Sequence, residues 1–220
     1  MHRSCLPGWA GVFLACVTAS ALAAAPGDGR DAERARLQER VEKVLNDEAL
    51  RAAALEAGRE RAAFCFFCHG EDGNSRRPHI PKLAGQNPVY LLDQIEKFAD
   101  GRRKTSYMQV LARRFSDEDK VNLVVYFSSL PVKPAGGDPA LAVQGMKIYR
   151  TRCVGCHGED GRGKKGYARL AGQQPEYVKK TLVGFRDHEG RRESAFMRAM
   201  VAGLSDADIE ALAAYIASMD

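Results

Sequence analysis

Several ordinary features are missing from this chain of 220 residues. Beyond the first 25 residues no stretch is apolar and long enough to cross a bilayer, which takes about 20 residues, so an integral membrane protein is not expected. No alternating apolar-polar pattern stands out, which argues against a sheet-based fold. Lopsided charge is missing as well. The 33 Lys and Arg face 28 Asp and Glu, and the basic pairs are scattered and answered by acids, so nucleic-acid binding has no electrostatic support. The most telling absence is spare cysteine. Of six cysteines, Cys5 and Cys16 lie in the N-terminal segment and the other four sit in two short motifs, leaving none for a structural disulfide.

The N-terminal segment reads as an export signal. His2 and Arg3 precede an apolar stretch from Trp9 to Val17 and a small-residue run from Ala19 to Ala25, which predicts a signal peptide over residues 1–23 with cleavage after Ala23. The apolar stretch falls short of a retained anchor. Phe13 stands where lipidation of Cys16 would favour leucine. The mature chain then carries 32 basic and 28 acidic residues, since only Arg3 leaves among the charged groups. The expected location is periplasmic, either soluble or loosely associated with the membrane.

What remains is a repeat with an offset of 87 to 89 residues, the period of a domain rather than of a solenoid. Cys68-His69-Gly70-Glu71-Asp72-Gly73 returns as Cys156-His157-Gly158-Glu159-Asp160-Gly161. Leu83-Ala84-Gly85-Gln86, with Pro88 and Tyr90, returns as Leu170-Ala171-Gly172-Gln173, with Pro175 and Tyr177. Met108, Ser116-Asp117 and Tyr126 return as Met197, Ser205-Asp206 and Tyr215. Between the copies lies a stretch with Pro131, Pro134, Gly136, Gly137 and Pro139, which reads as a linker over 131–140. Domains are therefore expected over 58–130 and 141–220. A charged helical extension over 24–57 has Leu37, Val41, Val44 and Leu45 at helical spacing. The simplest reading of it is a solvated amphipathic helix lying on the first domain; a docking arm for a partner and a disordered segment are the alternatives.

Each copy reads as helical. Ser116 and Ser205 each precede an acid three residues on, Asp119 and Asp208, the capping-box arrangement that satisfies free amides at a helix start. Val121, Val124, Val125 and Leu130, and Ile209, Leu212, Ala213 and Ile216, follow helical spacing. Pro88 and Pro175 are placed to open another helix in each copy.

The two motifs, Cys65-Phe66-Phe67-Cys68-His69 and Cys153-Val154-Gly155-Cys156-His157, carry the chemistry. Covalent haem attachment needs one thiol for each vinyl group and a histidine beside them for the iron, and Cys-x-x-Cys-His supplies all three on one helical turn. A thioredoxin-like site would need a βαβ unit, and it leaves the histidines unexplained. A zinc site would have to join cysteine pairs in separate repeats. The sixth iron ligand decides between electron transfer and catalysis. Met108 is the methionine that qualifies in the first copy. Met197 holds the matching place in the second, with Met200 one turn away as its competitor. Met146 and Met219 read as packing residues, and His79 and His188 as surface residues.

These residues resemble the class I cytochromes c, specifically the dihaem cytochrome c4 type, over residues 58 to 220. The resemblance implies an all-α fold of two tandem cytochrome c domains and two covalently bound haem c groups. It implies Cys65, Cys68, Cys153 and Cys156 as attachment residues, and His69, Met108, His157 and Met197 as axial iron ligands. Gly58 and Gly145 would let each domain's first helix cross its last beside Tyr126 and Tyr215. Family members usually place a proline shortly before the Lys-Leu block, with its carbonyl on the proximal histidine. Pro81 fits, whereas the second copy has Ala168, so the bond to the second histidine is expected either from Ala168's own carbonyl or in a looser form, and unequal haem potentials are expected.

The expected function is single-electron transfer, without enzyme activity, from a quinol-oxidising complex or dehydrogenase to a terminal oxidase or reductase. A cytochrome subunit of a larger dehydrogenase is the alternative. A haem enzyme or gas sensor would require a methionine to be absent from iron.

Overall fold

A computed structural model describes residues 29–189 and 191–220. The expected signal peptide over 1–23, its cleavage after Ala23 and the lipidation site at Cys16 lie outside the described residues.

The described chain is all-α. The first half contains α1 (Gly29–Asn46), α2 (Glu48–Arg61), α3 (Ala63–His69), α4 (Pro88–Ala99), α5 (Ser106–Ala112) and α6 (Asp117–Ser129). The second half contains α7 (Pro139–Arg152), α8 (Val154–His157), α9 (Pro175–Arg186), α10 (Ala195–Val201) and α11 (Asp206–Ser218). Helices α7 to α11 repeat α2 to α6 in order, and α1 has no counterpart.

Local chemistry sets several of these boundaries. Ser116 and Ser205 each accept a hydrogen bond from the amide three residues on, at 3.1 Å, while the side chains of Asp119 and Asp208 accept from the serine amides. Both capping boxes close as the spacing predicts. Pro88 and Pro175 open α4 and α9, where a missing N–H leaves no hydrogen bond unmade.

Each half is built on one close helix crossing, α2 on α6 and α7 on α11. A Cβ at Gly58 would run into the carbonyl of Asn122 and lie 2.8 Å from Cβ of Tyr126. At Gly145 it would run into the carbonyl of Ala211 and lie 2.8 Å from Cβ of Tyr215. Glycine is what lets the backbones approach this closely.

Helix α1 is part of the first core. Leu37 and Val41 are 0% and 1% exposed and share a cluster with Leu92, Val121 and Val124, while Val44 and Leu45 pack at its edge. Arg34 pairs with Asp93 of α4 at 3.1 Å and Arg36 pairs with Asp117 of α6, which places α1 across those two helices. The second half shows the complement of this arrangement. The repeat positions of Leu92 and Val121 are Lys179 and Glu210, whose side chains form a partly exposed ion pair at 3.6 Å. Where no covering helix exists, the sequence has changed buried apolar residues into solvated charge.

The halves meet in a pseudo-symmetric seam. The side-chain amide of Gln173 accepts from the backbone N–H of Lys82 at 2.8 Å and donates to the Lys82 carbonyl at 3.0 Å. Gln86, its repeat counterpart, accepts from Arg169 N–H at 2.6 Å and donates to the Arg169 carbonyl at 2.9 Å. Nearby, Arg103 and Arg192 face each other in an isolated antiparallel bridge, with Lys104 N–H donating to the Arg191 carbonyl at 2.9 Å. The linker is tied to both halves. Asn74 donates to the Pro131 carbonyl and accepts from Lys133 N–H, while Ala135 and Gly136 donate to the carbonyls of Gly172 and Ala217.

Candidate haem sites

Both motifs end short helices, so each histidine directly follows the second cysteine and lies one turn beyond the first. His69 and His157 are each 8% exposed. Nδ1 of His69 lies 2.9 Å from the carbonyl of Pro81, and Nδ1 of His157 lies 2.8 Å from that of Ala168. A carbonyl can only accept, so Nδ1 carries the proton in both rings and Nε2 keeps its lone pair. Burial holds both imidazoles below their usual protonation range, which keeps them neutral, the form that ligates a metal. The second site is therefore not looser at its histidine. Hydrogen bonding to a backbone carbonyl does not require proline.

The four cysteines are free and partly buried. Burial pushes the Cys65 and Cys153 thiols up to about 11, so they are protonated, with their sulfurs set against the apolar cores. Among the described residues no cluster of three or more His, Cys, Asp and Glu side chains could hold a metal ion.

Met108 and Met197 lie on α5 and α10. Helix α3 packs on α2 while α5 packs on α4, and α8 packs on α7 while α10 packs on α9; in neither half do the motif helix and the methionine helix form a packed pair. Each half thus carries its motif and its methionine on separate walls. Met197 packs at the edge of the second core and Met200 is partly buried on the same helix. Met219 also packs on that core, and Met146 is partly buried on α7. His79 and His188 are exposed, His188 with a φ of 58°.

Large apolar side chains stay exposed beside both elements. Phe64 precedes the first motif and Phe67 lies within it, at 71% and 78% exposure, while Tyr107 and Phe196 adjoin the two methionines at 64% and 63%. The loop after each motif is anchored by a tyrosine. Tyr126 donates to the Glu71 carbonyl at 2.9 Å, but in the second half Tyr149 of α7 donates to the Gly158 carbonyl at 2.8 Å, in place of the matched Tyr215. A further difference lies at the second histidine: the Tyr167 ring stands edge-on to His157 with centroids 6.2 Å apart, where the first half has Ile80.

Sequence reasoning did not single out the cationic seam. Arg103 donates to Gln94 at 2.7 Å and to the Tyr177 hydroxyl at 3.2 Å. Arg192 donates to the Tyr90 hydroxyl at 3.1 Å and also to Tyr177. Neither guanidinium has a carboxylate partner among the described residues. Burial acts to raise the Tyr177 pKa, but the two guanidiniums outweigh it and hold the phenol below its usual value. Burial, then Arg192, depresses Arg103. Cations drawn away from water are ordinarily paired with anions, so two half-buried guanidiniums beside two phenols fit a group that brings its own carboxylates. With the neutral histidines and free thiols, this donor set fits haem.

Comparison with known proteins agrees. The Cytochrome c family model matches residues 142–220. The chain is 38% identical to cytochrome c4 of Pseudomonas aeruginosa over 75% of this chain and 88% of that protein. It is similar to the crystal structure of reduced recombinant cytochrome c4 from Pseudomonas stutzeri, with a TM-score of 0.71 and 38% identity over 76% of this chain and 98% of that one. It is also 29% identical to a thiosulfate dehydrogenase electron acceptor of Thiomonas intermedia, over 76% of this chain and 83% of that protein.

Proposed function

The chain belongs to the cytochrome c4 family, and from that premise we propose that it holds two covalent haem c groups and passes single electrons between redox partners of the periplasm and its membrane. It is an electron carrier, not an enzyme, as its relatives are. When bound, haem c supplies an iron that changes oxidation state by one electron.

The chain's own residues do the rest. Cys65 and Cys68, and Cys153 and Cys156, are the thioether positions. His69 and His157, oriented through Nδ1 by the carbonyls of Pro81 and Ala168, would hold the haem irons from one side. Met108 and Met197 would hold them from the other. An iron held by both a histidine and a methionine would favour electron transfer over binding of small ligands. Arg103 and Arg192 are the residues for haem carboxylates at the seam. Export with cleavage after Ala23 places the mature chain in the periplasm.

The observation that carries this reading is the repeated pairing of a buried, neutral histidine with a backbone carbonyl, on the same turn as two free thiols. The donor is a quinol-oxidising complex or a dehydrogenase, and the acceptor a terminal oxidase or reductase. A second reading, the electron-accepting subunit of a dehydrogenase, is favoured by the likeness to the thiosulfate dehydrogenase electron acceptor. Haem quantification should give two haems per chain, and the reduced protein should not bind carbon monoxide promptly. One haem, or prompt binding, would overturn the dihaem carrier. Recovery with a dehydrogenase at fixed stoichiometry from native membranes would select the second reading.

A further inference from the structure

Thr105 stands at the N-cap of α5, the helix that carries Met108, and its hydroxyl is buried without a hydrogen-bond partner among the described residues. The matching cap shows what is missing. Ser194 precedes α10 on similar extended backbone, and its hydroxyl accepts from the amide of Met197 at 3.2 Å. A hydroxyl at an N-cap ordinarily makes that bond, and a buried one left unsatisfied calls for an explanation. Thr105 makes no such bond although its backbone, at φ −153° and ψ 120°, suits it.

The surroundings point to a ligand. Thr105 lies two residues after Arg103, where the chain bridges antiparallel to Arg192, and on extended backbone such residues project to the same side. The unpaired hydroxyl thus shares a face with two guanidiniums that have no carboxylate of their own. We infer that Thr105 donates a hydrogen bond to a haem carboxylate in the first half, a contact the second half lacks because Ser194 is turned back onto its own helix. The inference rests on the dihaem reading and deepens it by assigning a positioning residue that distinguishes the haems. A donor on a carboxylate draws negative charge away from the iron's surroundings, so its loss favours the ferric state and lowers that haem's potential.

The test uses the holoprotein and the variants Thr105→Val, Thr105→Ala, Thr105→Ser and Ser194→Ala. Haem content is measured first: fewer than two haems in the parent protein would refute the dihaem reading itself. Redox titration with two resolved components follows. In Thr105→Val and Thr105→Ala one component should move to lower potential while the other stays, and Thr105→Ser should restore it. Ser194→Ala should lower stability and leave both potentials in place. Unchanged components in both Thr105 variants, or equal shifts of both, would overturn the assignment. So would a change in the methionine–iron charge-transfer band in Thr105→Val, because the hydroxyl would then be serving the ligand sulfur.

Discussion

Gln173 grips both polar groups of the Lys82 backbone from the opposite half of the molecule, accepting from its N–H at 2.8 Å and donating to its carbonyl at 3.0 Å. Both residues are 7% exposed, so no water stands ready to replace either bond. Lys82 directly follows Pro81, whose carbonyl orients His69. The contact that joins the halves therefore also steadies the support of a histidine.

Replacing Gln173 or Gln86 by alanine leaves a buried N–H and a buried carbonyl unpaired in the other half, at a cost of about 1–3 kcal/mol per group. Denaturant unfolding of Gln173→Ala should begin at lower concentration and separate into two transitions as the halves uncouple. A single unshifted transition would show that the seam does not couple them.

Ala168 already gives His157 what Pro81 gives His69. Ala168→Pro should therefore leave both potentials nearly unchanged. Pro81→Ala should do the same, and should cost about 0.4–1 kcal/mol because the unfolded chain gains freedom. Unequal potentials are still expected, now from Thr105 against Ser194 and from Tyr167 against Ile80. Tyr167→Ile should move one component of a redox titration and leave the other. Movement of both would locate the asymmetry elsewhere.

Helix α1 supports one half only. Leu37→Ala should destabilise the first half by about 2–5 kcal/mol, the usual cost of emptying a core leucine site. The second half, whose Lys179–Glu210 pair lies at the uncovered position, should keep its stability. Hydrogen exchange resolved by residue would read the two halves separately, and equal loss in both would refute the assignment.

The haem-free protein should lose stability in mild acid. Burial lowers the pKa of His69 and His157 in the folded chain from 6.5, so below that value the unfolded chain binds more protons and gains relative to the folded one. Stability should fall as pH drops through the interval between the unfolded and folded values, and level off below both. Replacing both histidines by glutamine should flatten that part of the unfolding profile. An unchanged slope would place the dependence on other groups.

Removing one seam guanidinium should matter more with haem than without it. In the haem-free chain Arg192→Gln relieves the repulsion on Arg103 but gives up the bonds to the Tyr90 and Tyr177 hydroxyls, so stability should change little. In the haem-loaded chain it should weaken the halves' association and lower at least one potential. Thermal unfolding and redox titration of the same variant compare the two directly.

Sequence alone determined what local chemistry controls. The Cys-x-x-Cys-His motifs, the capping boxes at Ser116 and Ser205, the opening prolines of α4 and α9 and the order of the repeats each depend on groups only a few residues apart, so residue type and spacing were enough. Tertiary structure decided what depends on distant partners. The grip of Gln86 on Arg169 spans 83 residues, and nothing in the local sequence of either residue announces it. The hydrogen bond to His157 comes from a backbone carbonyl, which every residue carries, so residue type left open whether Ala168 supplies it, and only the fold decided that it does. In the second half Tyr149, packed against Tyr215 with ring centroids 5.4 Å apart, supplies the loop bond that Tyr126 makes in the first, a swap that the matched positions Tyr126 and Tyr215 do not announce. The extension before the first repeat reads from its spacing as an amphipathic helix lying on the first domain, but its many charges hide how deeply its apolar side is buried. Only the fold, in which Leu37 and Val41 meet Leu92 and Val121, made it part of the core.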